Sequence, residues 1–539
     1  MHHGPRTDGR FWVGLILTAL LALAVPAAWY AVCDVFWAPG HDDMVSLLIS
    51  SEGHNRADLV LSPPSTSRRS AQEILSTIAP RSDYGVLDTV LDAYRLSINP
   101  PVYLGLLNLW RRIVGGSIPA AMMLSLVLCC LSACVVFCIL ARERGWLTGL
   151  LFSALYCFSP TYWEAALATR QYALSALLSS FLAGTLAWLL QTGQTSPSRA
   201  GAAFVAVGAL LTLAAYQSVV LVVSLLAGLI VMAALRKDRR VMTVALGAGI
   251  AFTIASGPIL LLAKWQGQRG GPLGVPVHTL RPFEGPAETV HGALQVLLSL
   301  FVDIPFAHVS LAGLTIATLI LLGGLARLAA EEMPTPAAGT VLVVSFTTGC
   351  ALYAALVFLH LFPAWFNLRY FTAYSCTYLV LLALVQSRSR RTVTIRRVVL
   401  GALLALSSGT FLLRAGHYVA SDRQEEHSAF QDLRRARVVL TDARQHAQVL
   451  LVAAHASPQA GLWLVRLPID PDSCRAIADD CHGRQVAMVR TGEIDRAALE
   501  SGLRACLTDL GDERSFNRSW LDLTVWEPLV GPPPQRSQI

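Results

Sequence analysis

The sequence predicts a mainly α-helical protein that crosses a membrane about eleven times and ends in a small α/β domain. Three observations carry that prediction. Apolar runs of roughly 20 residues, enough to cross a bilayer as a helix, recur between residues 11 and 414. Charged residues are only 14% of the chain and hydrophobic ones 54%, whereas a soluble domain carries about a quarter charged residues. After residue 421 the composition turns polar and mixes a strand-like "VLLVAA" (Val449 to Ala454) with helical stretches such as Asp495 to Leu510. Continuous apolar runs favour helices over a β-barrel, whose strands alternate.

In chain order, the expected spans are 11–32, 118–140, 146–163, 170–190, 200–215, 217–235, 241–263, 310–327, 338–361, 368–386 and 394–414. The first has no small-residue cleavage site at its end and reads as a retained span. "AYQS" (Ala215 to Ser218) is the break between two neighbours. Two further apolar segments read as interfacial. From Pro100 to Val114 a helix would reach only about 22 Å, short of a hydrocarbon core of about 30 Å. It suits the interface instead, with Tyr103 and Trp110 at headgroup level. The segment Val290 to His308 is interrupted by Asp303 and Pro305. Before them, Val86, Leu87, Val90, Leu91 and Tyr94 share one helical face, so a helix lying along the membrane surface is expected there too.

Charge sets the orientation. The net charge of +7 resides largely in short basic loops, Ala141 to Gly145, Arg236 to Arg240 and Ser387 to Arg397. The positive-inside rule places these in the cytoplasm, and with them residues 1–10. The first loop, 33–117, and the tail, 421–539, then fall outside. Cys474, Cys481 and Cys506 lie in that tail, and a Cys474–Cys481 disulfide and free thiols are both open.

Several outward-facing residues have chemical potential. Trp37 to Met44 reads "WAPGHDDM", an acidic pair about ten residues past the first span. A carboxylate there can serve as a general base or as a solvated loop edge. Arg170 and Arg369 sit at the outer starts of two spans. Together with Lys264, Arg269 and Arg281 they would make a positive pocket suited to a phosphate. His41, His278 and His360 could join carboxylates around a divalent metal, although their spacing forms no ligand motif. The glycines in Gly267 to Gly274 lack a strand–loop–helix frame, and there is no P-loop, heptad array or nucleic-acid motif.

In order, the acidic pair, "INPPVYLGLLNLW", "SALYCFSPTYWEAALATRQYALSALLSSFLAG" and "WFNLRYFTAYSCTYLVLLAL" resemble glycosyltransferase family 39. This is a GT-C group of membrane glycosyltransferases that includes protein O-mannosyltransferases and the lipid A aminoarabinose transferase. The resemblance covers about residues 11–415, which it marks as the catalytic domain, and leaves the tail uncovered. It implies transfer of a sugar from a polyprenyl-phosphate carrier to a hydroxyl acceptor outside the membrane, with inversion. It implies a catalytic base at Asp42 and a supporting carboxylate at Asp43, where the family has Asp-Glu. The family's His-Pro-Pro is here Asn99-Pro100-Pro101, and Asn99 can hydrogen-bond but cannot act as an imidazole base. Arg170 and Tyr172 match an Arg-x-Tyr element, and Arg369 and Tyr370 match a late Arg-Tyr. On this reading Arg170, Arg369 and Lys264 hold the carrier phosphate, and Asn99, Tyr103, Tyr172 and Tyr370 shape the cavity. The alternatives are a transporter or flippase, which would want ionisable groups near span midpoints, or an envelope oligosaccharide polymerase or ligase.

Overall fold

A computed structural model describes residues 9–32, 41–51, 60, 63, 65–96, 100–190, 197–269, 338–358, 371–385, 390–417, 423–443, 446–490, 496–507, 513–518 and 521–526. The chain divides into two compact units. The first holds Met1–Ala31, Val90–Leu107 and Ala120–Gly416, and the second Val32–Thr89, Asn108–Pro119 and His417–Ile539.

In chain order the described elements begin with α1 (Gly9–Val32), α2 (His41–Ile49), β1 (Ser67–Ser70) and α3 (Ala71–Ser76). Next come α4 (Val86–Leu96), α5 (Pro101–Val114), α6 (Ile118–Arg144), α7 (Trp146–Cys157), α8 (Pro160–Leu167) and α9 (Tyr172–Leu190). The helices continue with α10 (Pro197–Ala214), α11 (Ser218–Arg236), α12 (Arg239–Arg269), α13 (Ala338–Phe358), α14 (Thr372–Leu384) and α15 (Arg390–His417). The rest are α16 (Arg423–Arg435), β2 (Val438–Thr441), α17 (His446–His455), β3 (Gly461–Leu464), α18 (Pro471–Cys481), β4 (Val486–Arg490), α19 (Arg496–Cys506), β5 (Glu513–Arg518) and β6 (Leu521–Trp526).

Six of the described helices are long and apolar enough to cross a membrane, and four shorter apolar ones accompany them, so the chain is a multi-pass membrane protein. The six are Gly9–Ala31, Ile118–Arg144, Tyr172–Leu190, Pro197–Ala214, Ser218–Arg236 and Arg239–Trp265. The expected span at 310–327 and the interfacial segment at 290–308 lie outside the described residues. The expected span 146–163 is corrected, because it is two helices, α7 and α8, that part at Ser159. Pro160 removes a backbone donor and forces Ser159 out of the helical region, to ψ 142°.

Within the first unit, side-chain hydrogen bonds tie helix ends into two layers. Arg144, at the end of α6, donates to the carbonyl of Leu384, at the end of α14. At the opposite end of α14, Thr372 Oγ1 donates to Thr161 O on α8 at 2.9 Å. Tyr374 donates to Gln217 O, in the break between α10 and α11, at 3.1 Å. A Cβ on Gly228 of α11 would meet Val341 O of α13 at 2.9 Å, so that glycine lets the two backbones pack closely. The helices α4 and α5 carry exposed apolar residues, Leu87, Leu91 and Tyr94 on the first and Leu109, Ile113 and Val114 on the second. Such faces suit an interface between water and lipid.

The second unit is built on a six-stranded sheet of order β1-β3-β2-β4-β6-β5. Strands β3, β2 and β4 are parallel, and β1, β6 and β5 add antiparallel edges. Every residue of β2, β3 and β4 is buried, as expected of parallel strands covered on both faces. Strand β1 comes from the first loop, pairing Ser67 with Leu464 through Ser70 with Gly461. The sheet is therefore closed by a strand that lies far from the tail in sequence. Thr66 Oγ1 reinforces the join, donating to Arg466 O at 3.0 Å and accepting from Arg466 N at 2.9 Å.

One tail expectation is corrected, and the open question of the tail cysteines is answered by a third arrangement. "VLLVAA" is not a strand but most of α17, which packs against α2 and α3. A short apolar run has no period that separates a strand from a buried helix, and the two helices of the first loop decide the case. The disulfide joins Cys474 to Cys506, with Cα atoms 5.0 Å apart, and Cys481 is a buried free thiol. Cys474 and Cys481 both lie on α18, seven residues apart, which at 1.5 Å per residue separates them by about 10 Å, beyond disulfide reach.

Candidate active site

The acidic pair opens a helix. Asp42 and Asp43 are the second and third residues of α2, in the second unit. Met44, Leu47 and Leu48 repeat at helical spacing and are buried, so the helix packs on its apolar stripe. Asp43 is also buried, at 8% exposure, one turn before Leu47. The free backbone N–H groups and the positive end of the helix dipole both lie in this first turn, where they favour negative charge. A carboxylate on a packed helix is better fixed in direction than one on a loop tip.

In the first unit, α8 ends at Leu167, and Thr169, Arg170 and Gln171 turn the chain into α9. All three are buried, Arg170 at 7% exposure. Tyr172 begins α9 and is buried as well. The Arg-x-Tyr element therefore forms the turn between α8 and α9. Lys264 is exposed, near the end of α12, and the ring of its neighbour Trp265 lies 6.5 Å from that of Tyr94 on α4.

Tyr103 differs from its expected place at headgroup level. It is fully buried, and its hydroxyl is hydrogen-bonded to Ser125 Oγ of α6 at 3.0 Å. The apolar stripe of α5 that meets solvent or lipid is on its other side, at Leu109 and Ile113. Asn99, Arg369 and Tyr370 lie outside the described residues, as do His278 and His360. Among the described residues no three His, Cys, Asp or Glu side chains are gathered as a metal would require.

An aromatic cluster was not anticipated from the sequence. Trp29, near the end of α1, lies 4.5 Å from Trp163 of α8, ring centre to ring centre, and 5.6 Å from Phe411 of α15. Trp163 is buried, and its indole N–H has no hydrogen-bond partner among the described residues. Tryptophans near span ends are a usual signal of an interfacial belt, but which of them meet is a tertiary fact.

No family model and no curated protein matches the chain. Among solved structures it is similar to ArnT from Cupriavidus metallidurans bound to undecaprenyl phosphate, at 13% identity and a TM-score of 0.47, over 97% of this chain and 99% of that one. The apo state of the same ArnT gives 12% identity and a TM-score of 0.44, over 93% and 97%. The apo oligosaccharyltransferase of Archaeoglobus fulgidus gives 11% identity and a TM-score of 0.41, over 98% of this chain and 76% of that one.

Proposed function

We propose that the chain is a membrane glycosyltransferase that moves a sugar from a polyprenyl-phosphate carrier to a hydroxyl acceptor, on the side of the membrane opposite the basic loops. The observation that carries the reading is the acidic pair in the first turn of the packed helix α2, with Asp43 buried, directly after the first span. A disordered acidic loop edge would not be built this way.

The chemistry follows from what each group can do. The acceptor oxygen bonds to the anomeric carbon as the bond from that carbon to the carrier phosphate breaks on the opposite face, which inverts the centre. The acceptor's proton goes to the Asp42 carboxylate, with Asp43 supporting its orientation. The phosphate leaves as a stable anion and needs charge stabilisation more than protonation, so one base is enough. Arg170, Arg369 and Lys264 supply that positive charge. Asn99, Tyr172 and Tyr370 position the donor around it, and Tyr103 holds α5 through Ser125. The rings of Trp29, Trp163 and Phe411, which meet within the first unit, offer the carrier's isoprenoid chain a wall to pack on. Either a divalent metal or the arginines can balance the phosphate charge.

Asp42→Asn keeps the size and polarity of the side chain but cannot take a proton. It is expected to abolish transfer in a membrane assay with a panel of polyprenyl-phosphate sugars, while the protein still inserts and elutes as a folded species. Wild-type turnover in that variant would sink the assignment.

A further inference from the structure

Arg111 is the largest fully buried side chain among the described residues, at 1% exposure, and carries a charge. It lies in the second half of α5, within the second unit. Its terminal nitrogens donate to Leu47 O at 3.3 Å, Ser50 Oγ at 3.2 Å and Gly116 O at 2.8 Å, and also to Ser51 Oγ and Ile78 O. None of these partners is a carboxylate. Burial pushes the guanidinium down to about 10, which still leaves it charged at neutral pH.

An unpaired buried cation is costly, and here the compensation comes from helix ends. Leu47 O is in the last turn of α2, Ser50 and Ser51 follow that turn, and Ile78 O follows α3. Carbonyls at these ends lack helical partners and form the negative end of each dipole, so a cation belongs there. Asn108, one turn earlier on α5, adds a bond from Nδ2 to Ser50 O at 2.8 Å. Ser51 Oγ sits 2.6 Å from Leu47 O and 2.7 Å from Ile78 O, closing the same knot. The terminal nitrogens are thus committed to protein acceptors, and Arg111 is not a phosphate ligand.

We propose that Arg111 is a positioning residue for the acidic pair, an inference that rests on the glycosyltransferase reading above. The helix it grips has nine residues, about 13 Å, with Asp42 and Asp43 at the other end. Contacts at Leu47, Ser50 and Ser51 fix both the axis of α2 and its rotation. A small turn at that end swings the carboxylates away from the acceptor hydroxyl, and misplacement by about 1 Å can cost about 100-fold in rate.

The test compares full-length Arg111→Met, Arg111→Lys and Ser51→Ala with wild type and Asp42→Asn, measuring kcat and donor KM separately on protein that elutes as a folded species. Arg111→Met is expected to lower kcat about 10- to 100-fold with donor KM within about twofold of wild type. Arg111→Lys, which keeps the charge and can donate to several of the same carbonyls, recovers part of the loss, and Ser51→Ala falls between it and wild type. A merely structural role would reduce the yield of folded protein but leave kcat per folded enzyme unchanged, and that result overturns the proposal. A rise in donor KM at constant kcat also overturns it, by placing Arg111 at the donor. If Arg111→Met does not fold, Arg111→Lys and Ser51→Ala decide by the same criteria. Wild-type turnover in Asp42→Asn would instead defeat the underlying reading, whatever the Arg111 variants do.

Discussion

Asp42 and Asp43 stand out in the sequence because two adjacent acids interrupt an apolar context, but Arg111 does not. In "NLWRRIVGG" it is one of two adjacent arginines, and only folding separates them. Arg111 turns inward to the helix ends, while Arg112 reaches the carbonyls of Arg81 and Tyr84 at the surface. Burial of one charge out of two identical neighbours is set by rotation of α5, which no local pattern specifies. His455 is a similar case. It stacks on Phe430, ring centres 4.2 Å apart, and burial, helped by the charge of Arg434, lowers its affinity for a proton to about 3. Its unfolded value lies near 6.5, so the folded state stays neutral in a window where the unfolded state gains a proton. The stability this contributes is complete above about pH 6.5 and is lost as the pH falls toward 3. At pH 5.5 the second unit is expected to be destabilised by about 1.4 kcal/mol relative to pH 8 through this residue alone. Urea unfolding of wild type and His455→Phe at the two pH values checks it, since the variant lacks this part of the pH dependence.

The elements that sequence patterns recover are those whose neighbours matter least. The long apolar helices α1, α6, α9, α10 and α11 begin and end within a few residues of the expected spans, because length and hydrophobicity alone specify them. Two short elements depend on distant partners instead. The strand β1, "SRRS", has no apolar alternation of its own and exists because β3 offers it an edge. The helix α17 looks like a strand until α2 and α3 cover it. The same logic explains the disulfide. Helix geometry forbids Cys474–Cys481, while packing of α18 on α19 brings Cys506 to Cys474. Peptide mapping under non-reducing conditions should find the Cys474–Cys506 link, and Cys481→Ser should leave it intact. Cys474→Ser opens a loop of 32 residues and is expected to cost the second unit about 2–4 kcal/mol in denaturant unfolding under oxidising conditions. An equal loss in Cys481→Ser, with none in Cys506→Ser, would restore the other pairing.

Across the whole chain the expected orientation rests on charge alone, and the first unit supplies an independent check on its internal consistency. If the basic loops face one side, then the ends of α6 and α14 must lie together, and Arg144 donating to Leu384 O joins them. If "AYQS" and the start of α8 face the other side, the start of α14 must lie with both. Thr372 bonding to Thr161 O and Tyr374 to Gln217 O meet that condition. The two layers of helix ends are compatible with the charge pattern, and the positive-inside rule would assign the layer containing Arg144 and Leu384 to the cytoplasm. On that expectation Arg170 and Lys264 would face outside, where the proposed reaction needs the donor phosphate to be met. Single-cysteine additions test it. Gln217→Cys should react with a membrane-impermeant maleimide on intact cells, above the parent protein's background. Arg240→Cys should react only after the membrane is permeabilised. The reverse pattern would turn the molecule over and put the positive residues of the proposed phosphate site on the wrong side of the membrane for an externally presented donor.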